Sequence, residues 1–229
     1  MHDAYYQNTL YPLQDKILEI IGKLSVGFYL TGGTALSRVY LHHRYSDDLD
    51  LFVNNAPDFK NQVNLVLHEL NKAGHAIDVS VADDGFARVF VVEGETVLKL
   101  DFVNDVTFRS GTVISTRLFH KTDNLHNILS NKITALGRLA AKDLADIVYI
   151  CQNLHFTWEN IMNDASQKDL WVNPLHVIDV LEKFPFERLQ EINWVNEAPS
   201  LDWFNAQINR IIPDILDGSE NSLYKKHNL

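Results

Sequence analysis

Apolar residues recur along this chain in two rhythms, and the change between them falls near residue 115. Before it, short apolar runs alternate with turn-forming clusters. Residues 26–30 are apolar and partly aromatic and end at Thr31-Gly32-Gly33, which predicts a strand and a tight turn. A helix should begin near Thr34, with Ala35, Leu36, Val39 and Tyr40 at helical spacing, and the polar break at Ser46 to Asp48 leads into a second strand, "LDLFV". Pro57 opens a predicted helix reaching about Ala73, with Val63, Leu65, Val66, Leu67 and Leu70 on or near its core side. Three β-rich runs follow, "HAIDVSVA", "FARVFVVE" and "TVLKLDFV", separated by Asp83-Asp84-Gly85 and Glu93-Gly94-Glu95.

After residue 115 the period becomes helical. "NILSNKITALGRL" and "KDLADIVYICQNL" read as two helices joined near Ala140-Ala141, followed by "WENIMNDA", "PLHVIDVLEKF" and "DWFNAQINRII". The predicted class is α+β: a mixed β-sheet with flanking helices over residues 1–115, then a helical bundle over 116–229, with the last residues "SLYKKHNL" expected to fray.

Composition narrows the reading. The 229 residues are 46% hydrophobic, enough for a sizeable core, and no apolar run has the length of a membrane span. The N-terminal stretch lacks a signal-peptide pattern, so the expected location is cytoplasmic. Cys151 is the only cysteine, which rules out an internal disulfide, and no Cys/His spacing resembles a zinc site. A net charge of -10 argues against a broad electrostatic grip on nucleic acid, although a metal site would account for part of the acidity.

Candidate chemistry concentrates in residues 28–52, "FYLTGGTALSRVYLHHRYSDDLDLF". Asp48 and Asp50 stand two apart on a predicted strand, so both carboxylates share one face and repel unless a cation intervenes. Hard oxygen ligands of this kind hold Mg²⁺. An isolated Asp-x-Asp is also a common solvated strand entry, and Gly-Gly alone is also a plain tight turn. Gly32, Gly33 and Thr34 open a helix after a strand, where free backbone N–H groups and a hydroxyl suit phosphate. Asp101, inside the otherwise buriable run "VLKLDFV", needs a metal, an arginine or a cleft to receive it. Three carboxylates, two Mg²⁺ ions and a phosphate-cradling turn are what nucleotidyl transfer from an NTP requires.

These residues, with "NKITALGRLAAKDLADIVYI" about eighty positions later, resemble the AbiEii/AbiGii nucleotidyltransferase toxin family of bacterial abortive-infection and toxin–antitoxin systems, over roughly residues 28 to 155. The resemblance implies a DNA polymerase β-like nucleotidyltransferase core with a helical C-terminal part. It implies metal binding by Asp48, Asp50 and Asp101, with Asp101 placed by order and strand context. Gly33 and Thr34 would contact the triphosphate. Lys132 would meet the nucleotide phosphates, and Asp146 would orient that lysine or contact the nucleotide. An RNA acceptor, with tRNA 3′ ends first, and a cognate antitoxin, commonly a winged-helix DNA-binding protein, are implied as partners.

Read from residues alone, Lys132, Arg138, Lys142, Asp143 and Asp146 are equally a charged helix face with i,i+4 pairing such as Lys142 with Asp146. His42, His43 and Arg44 read as a helix cap or a cleft rim, and Ser46 as a brace for the strand entry. Trp158, Trp171, Trp194 and Trp203 read as packing residues of the helical part. Two other functions stay open: transfer to a small molecule such as an aminoglycoside or to a protein side chain, and a nucleotide-binding module without catalysis.

Overall fold

The computed structural model describes residues 2–225. They form two compact units. One runs up to Thr107 and resumes over Thr112–Asp123; the other takes Phe108–Gly111 and the described chain from Asn124 onward.

The first unit is built on a five-stranded sheet of β1 (Tyr29–Thr31), β2 (Leu49–Asn54), β3 (Ala76–Ala82), β4 (Phe86–Glu93) and β5 (Thr96–Asp105), in the order β1-β2-β5-β4-β3. β2 and β5 run parallel, and every other pairing is antiparallel. The two-residue period of a strand divides each central strand into a core side and a chemical side. Leu49, Leu51 and Val53 of β2 and Leu98, Leu100 and Phe102 of β5 are buried on the core side. There Phe28 packs against Phe59 and Phe102, with ring centroids 6.1 and 5.0 Å apart. The opposite side carries the charged residues of both strands.

Two differences from the sequence expectation have physical causes. The first strand covers Tyr29–Thr31 and not residues 26–30, because Val26 and Gly27 spend their backbone groups elsewhere: the Val26 carbonyl accepts from Lys121 Nζ at 2.7 Å and the Gly27 N–H donates to Gln62 Oε1 at 2.6 Å. In the Phe59–Lys72 helix, Val63, Val66 and Leu70 form the buried stripe, while Leu65 lies off that stripe and is exposed.

An N-terminal helix that the apolar pattern did not single out runs through His2–Tyr5, a π-helical turn at Tyr6–Leu10, and Tyr11–Gly22. It fixes the loop ahead of β2. Tyr6 stacks on Tyr45 at 4.1 Å and donates its hydroxyl to Asp47, and Gln14 Nε2 donates to the carbonyls of Ser46 and Asp47.

The second unit is helical: Leu125–Ala135, Ala141–Asn153, Trp158–Ser166, Pro174–Glu182 and Leu201–Asp217, with short 3₁₀ turns at Leu136–Arg138 and Phe186–Glu191. Asn124, Thr157, Asn173 and Ser200 each cap the helix that follows by accepting a backbone N–H. Trp158 is buried, and Tyr149, Trp194, Trp203 and Phe204 form an aromatic cluster. Burial pushes the Cys151 thiol far above its ordinary range, so it packs as an inert apolar group. Of the tail expected to fray, Leu223 is instead buried, and residues 226–229 lie outside the described residues. Among the described residues no helix is long and apolar enough to cross a membrane.

Candidate active site

Strand register assembles one row of side chains across the chemical side of the sheet. Thr31 of β1 stands beside Asp50 of β2, Asp50 beside Asp101 of β5, and Asp101 beside Arg88 of β4. Residues paired in register on neighbouring strands share a face, so two carboxylates far apart in sequence become neighbours. Asp48, one residue before β2, shares their parity, as does Lys99 on β5.

The Gly-Gly turn sits directly against this row. Gly32 has φ +66, and a Cβ built there would lie 2.0 Å from Asp50 Oδ2, so only glycine fits both the backbone and the carboxylate. Gly33 is close to another pair: its Cβ would meet Arg44 at 2.7 Å and Ser46 Oγ at 2.8 Å. Arg44 is therefore buried beneath the turn and not on a rim, and donates to the Tyr45 carbonyl at 3.0 Å; His43 is buried as well. His42, in the left-handed conformation, ends the π-helical segment Leu36–Leu41.

Thr34 is fully buried, and its hydroxyl is bonded to Ser46 Oγ at 3.0 Å and to the Asp48 carbonyl. A hydroxyl so engaged ties the turn to the strand entry and is not presented to a phosphate. What the turn offers an anion is the backbone N–H groups that open the short helix Gly32–Ala35. Behind it, the Thr31 hydroxyl donates to Asp123 Oδ2 at 2.7 Å.

Two cations of the chain answer the carboxylates. Arg88 grips Asp101 with two parallel bonds, Nε to Oδ1 and a terminal nitrogen to Oδ2, both at 2.8 Å. Lys99 Nζ lies 2.7 Å from Asp48 Oδ2 and 3.5 Å from Asp101 Oδ2. Burial works against the Lys99 ammonium, but the Asp48 hydrogen bond and the charges of Asp48, Asp101 and Asp50 hold its pKa above the ordinary lysine value. The Asp101 bond is the main reason the Arg88 pKa is raised as well.

The donor set suits a hard divalent ion: three carboxylates on one sheet face, with a protein ammonium already standing between two of them. Among the described residues, no three His, Cys, Asp or Glu side chains already converge as a metal cage. Arg88 holds both Asp101 oxygens, and Lys99 contacts Asp48 Oδ2 and Asp101 Oδ2.

In the helical unit, Lys132 and Asp146 meet in a second buried cluster. Lys132 Nζ lies 2.7 Å from Asp143 Oδ1 and 2.7 Å from Asp146 Oδ2, and Arg138 Nε lies 2.6 Å from Asp143 Oδ2. Both aspartates are fully buried, whereas Lys142 is exposed. The motif is thus no solvated i,i+4 face; it joins the Leu125–Ala135 helix to the Ala141–Asn153 helix through paired charges. Burial alone would raise the Asp143 pKa, but Lys132 and Arg138 hold it below the usual carboxylate value.

The family model described as nucleotidyl transferase AbiEii toxin, type IV TA system, matches residues 17–207. The chain belongs to the AbiEii family. It is by that membership a nucleotidyltransferase. Among solved structures, a candidate nucleotidyltransferase from Helicobacter pylori is similar at 18% identity with a TM-score of 0.60, covering 90% of this chain and 94% of that one. JHP933 from Helicobacter pylori is similar at 19% identity with a TM-score of 0.61, covering 90% and 91%. Both likenesses concern the fold. No curated protein sequence matches the chain.

On this AbiEii chain, sequence reasoning named the three acids and the turn but missed Arg88 and Lys99, and it gave Asp143 only as part of a charged helix face. Lys99 had a local signal, since it alternates with Asp101 along β5. Asp143 stands one helical turn before Asp146. Arg88 had none, because only the β4–β5 register puts it beside Asp101.

Proposed function

We propose that the chain transfers a nucleoside monophosphate from an NTP to an acceptor hydroxyl, most plainly on RNA with tRNA 3′ ends as the first acceptor, and that it acts as the toxin of a toxin–antitoxin or phage-defence system with a cognate antitoxin. The observation that carries the chemistry is the row Thr31-Asp50-Asp101-Arg88, with Gly32 pressed against Asp50. It supports a polymerase β-like core, in which a phosphate-binding turn and strand-borne carboxylates stand together.

Asp48, Asp50 and Asp101 would hold two Mg²⁺ ions, which supply charge neutralisation at the triphosphate when bound. The residues of the chain do the rest. Backbone N–H groups at Gly32, Gly33 and Thr34 receive phosphate oxygens, and Arg88 keeps the Asp101 carboxylate in one orientation. The acceptor oxygen forms its bond to the α-phosphorus as the bond to pyrophosphate breaks, and its proton passes to a carboxylate of the row. Lys132 serves the nucleotide phosphates, and Asp146 positions its ammonium; the 2.7 Å contact between them supports that division of work.

Transfer of label from each α-³²P NTP with Mg²⁺ to total RNA, total protein and small molecules, beside Asp50→Asn, is the test. RNA labelling that drops at least ~10²-fold in the variant supports the proposal. Label confined to protein or small molecules changes the acceptor and retains the chemistry. NTP binding with no transfer to any pool points to a silent binding module.

A further inference from the structure

The carboxylate row presents three acids to two cations of unequal character. Arg88 reaches Asp101 from β4 and uses both oxygens in a planar fork, a geometry that resists rearrangement. Lys99 approaches between Asp48 and Asp101 with a single ammonium on a flexible four-carbon stem, and its side chain keeps 26% of its surface exposed. Lys99 contacts Asp48 Oδ2 at 2.7 Å and Asp101 Oδ2 at 3.5 Å, the second an oxygen that Arg88 also holds, on carboxylates that would hold a divalent ion. Lys99 is thus the cation set between Asp48 and Asp101, while Arg88 holds Asp101 from β4.

We infer that Lys99 is the resident counter-cation of this site, and that a divalent ion enters by displacing the Lys99 ammonium from Asp48 and Asp101 while Arg88 stays in place. The inference rests on the reading of Asp48, Asp50 and Asp101 as metal ligands. Lys99 is then a positioning residue: it keeps the carboxylates together in the empty enzyme and sets how much affinity the metal must spend to enter. Removing it produces an effect opposite to ordinary structural damage, tighter metal binding.

The test is Mn²⁺ titration of the full chain, followed by the electron paramagnetic resonance signal of free Mn²⁺, with Lys99→Met, Lys99→Gln, Asp48→Asn and Lys60→Met beside the parent. Lys60 pairs with Asp84 at the surface and controls for net charge. Both Lys99 variants are expected to bind Mn²⁺ at least about tenfold more tightly, the scale of removing one unit charge a few ångströms away. Lys60→Met should match the parent, and Asp48→Asn should lose binding. Unchanged or weaker affinity in the folded Lys99 variants, with binding still lost in Asp48→Asn, overturns the inference alone. Undiminished binding in Asp48→Asn overturns the metal-ligand reading and the inference with it, and an equal gain in Lys60→Met reduces the effect to net charge and also overturns it. A second measurement needs no variant: acylation of Lys99 in the parent, read by peptide mass spectrometry, should rise when Mn²⁺ is added, and unaltered labelling overturns the displacement.

Discussion

Gly32 and Asp50 occupy what amounts to one shared volume. The glycine has a left-handed backbone, and any side chain there would start 2.0 Å from the carboxylate. Gly32→Ala should therefore lower stability by about 1–3 kcal/mol, seen as a drop in melting temperature, and should cut nucleotidyl transfer at least ~10²-fold because Asp50 must move. Gly33→Ala strains a different pair, Arg44 and Ser46, beneath the turn. The paired aspartates and glycines were legible in the sequence because their spacing is local. The commitment of the Thr34 hydroxyl was not, since it depends on where the Asp48 carbonyl falls after the chain has turned back.

At the scale of elements, the helix pair Leu125–Ala135 and Ala141–Asn153 carries a charged cluster in its interior. Lys132→Met would leave Asp146 without its ammonium in a fully buried place. The expected cost is about 3 kcal/mol of unfolding free energy, measured by chemical denaturation, because breaking a buried pair strands the remaining charge. The cluster also gives a pH dependence. Asp143 is held below its unfolded value of about 3.9, so its contribution to stability is present above that pH and is lost as pH falls through the lower, folded value. Melting temperature followed from pH 6 to pH 3 should fall steeply below about pH 4, and Asp143→Asn should flatten that fall. Periodicity identified these helices and their charged residues, but it could not distinguish a wet face from a buried one. Both carry the same residue types at the same spacing, and only the second helix, packed over the first, makes the difference.

At the scale of the whole chain, the covalent path crosses between the two units at residues 107–108, 111–112 and 123–124. The rhythm of apolar residues changes near 115, yet Lys121, Thr122 and Asp123 line the outer edge of β1: the Leu30 N–H donates to the Lys121 carbonyl, and the Asp123 N–H donates to the Leu30 carbonyl, each at 2.8 Å. This strap has no strand-like pattern of its own, which is why it was invisible in the sequence. A fragment ending at residue 123 should fold and melt in one sharp transition followed by circular dichroism, whereas one ending at 115 should melt at a lower temperature or stay unfolded, with the Leu30 backbone groups and the Thr31 hydroxyl left unpaired.

The contact between Gly32 and Asp50 also has a history written into it. A lineage that abandoned catalysis and exchanged Asp50 for a smaller residue would open the space above Gly32, and a residue tolerant of a left-handed backbone, such as asparagine, would then become admissible there. Restoring the acid alone would collide with the newcomer. Decay at these two positions should run in one direction, acid first and glycine second, so a relative retaining Asp50 while lacking Gly32 should not be found in working form.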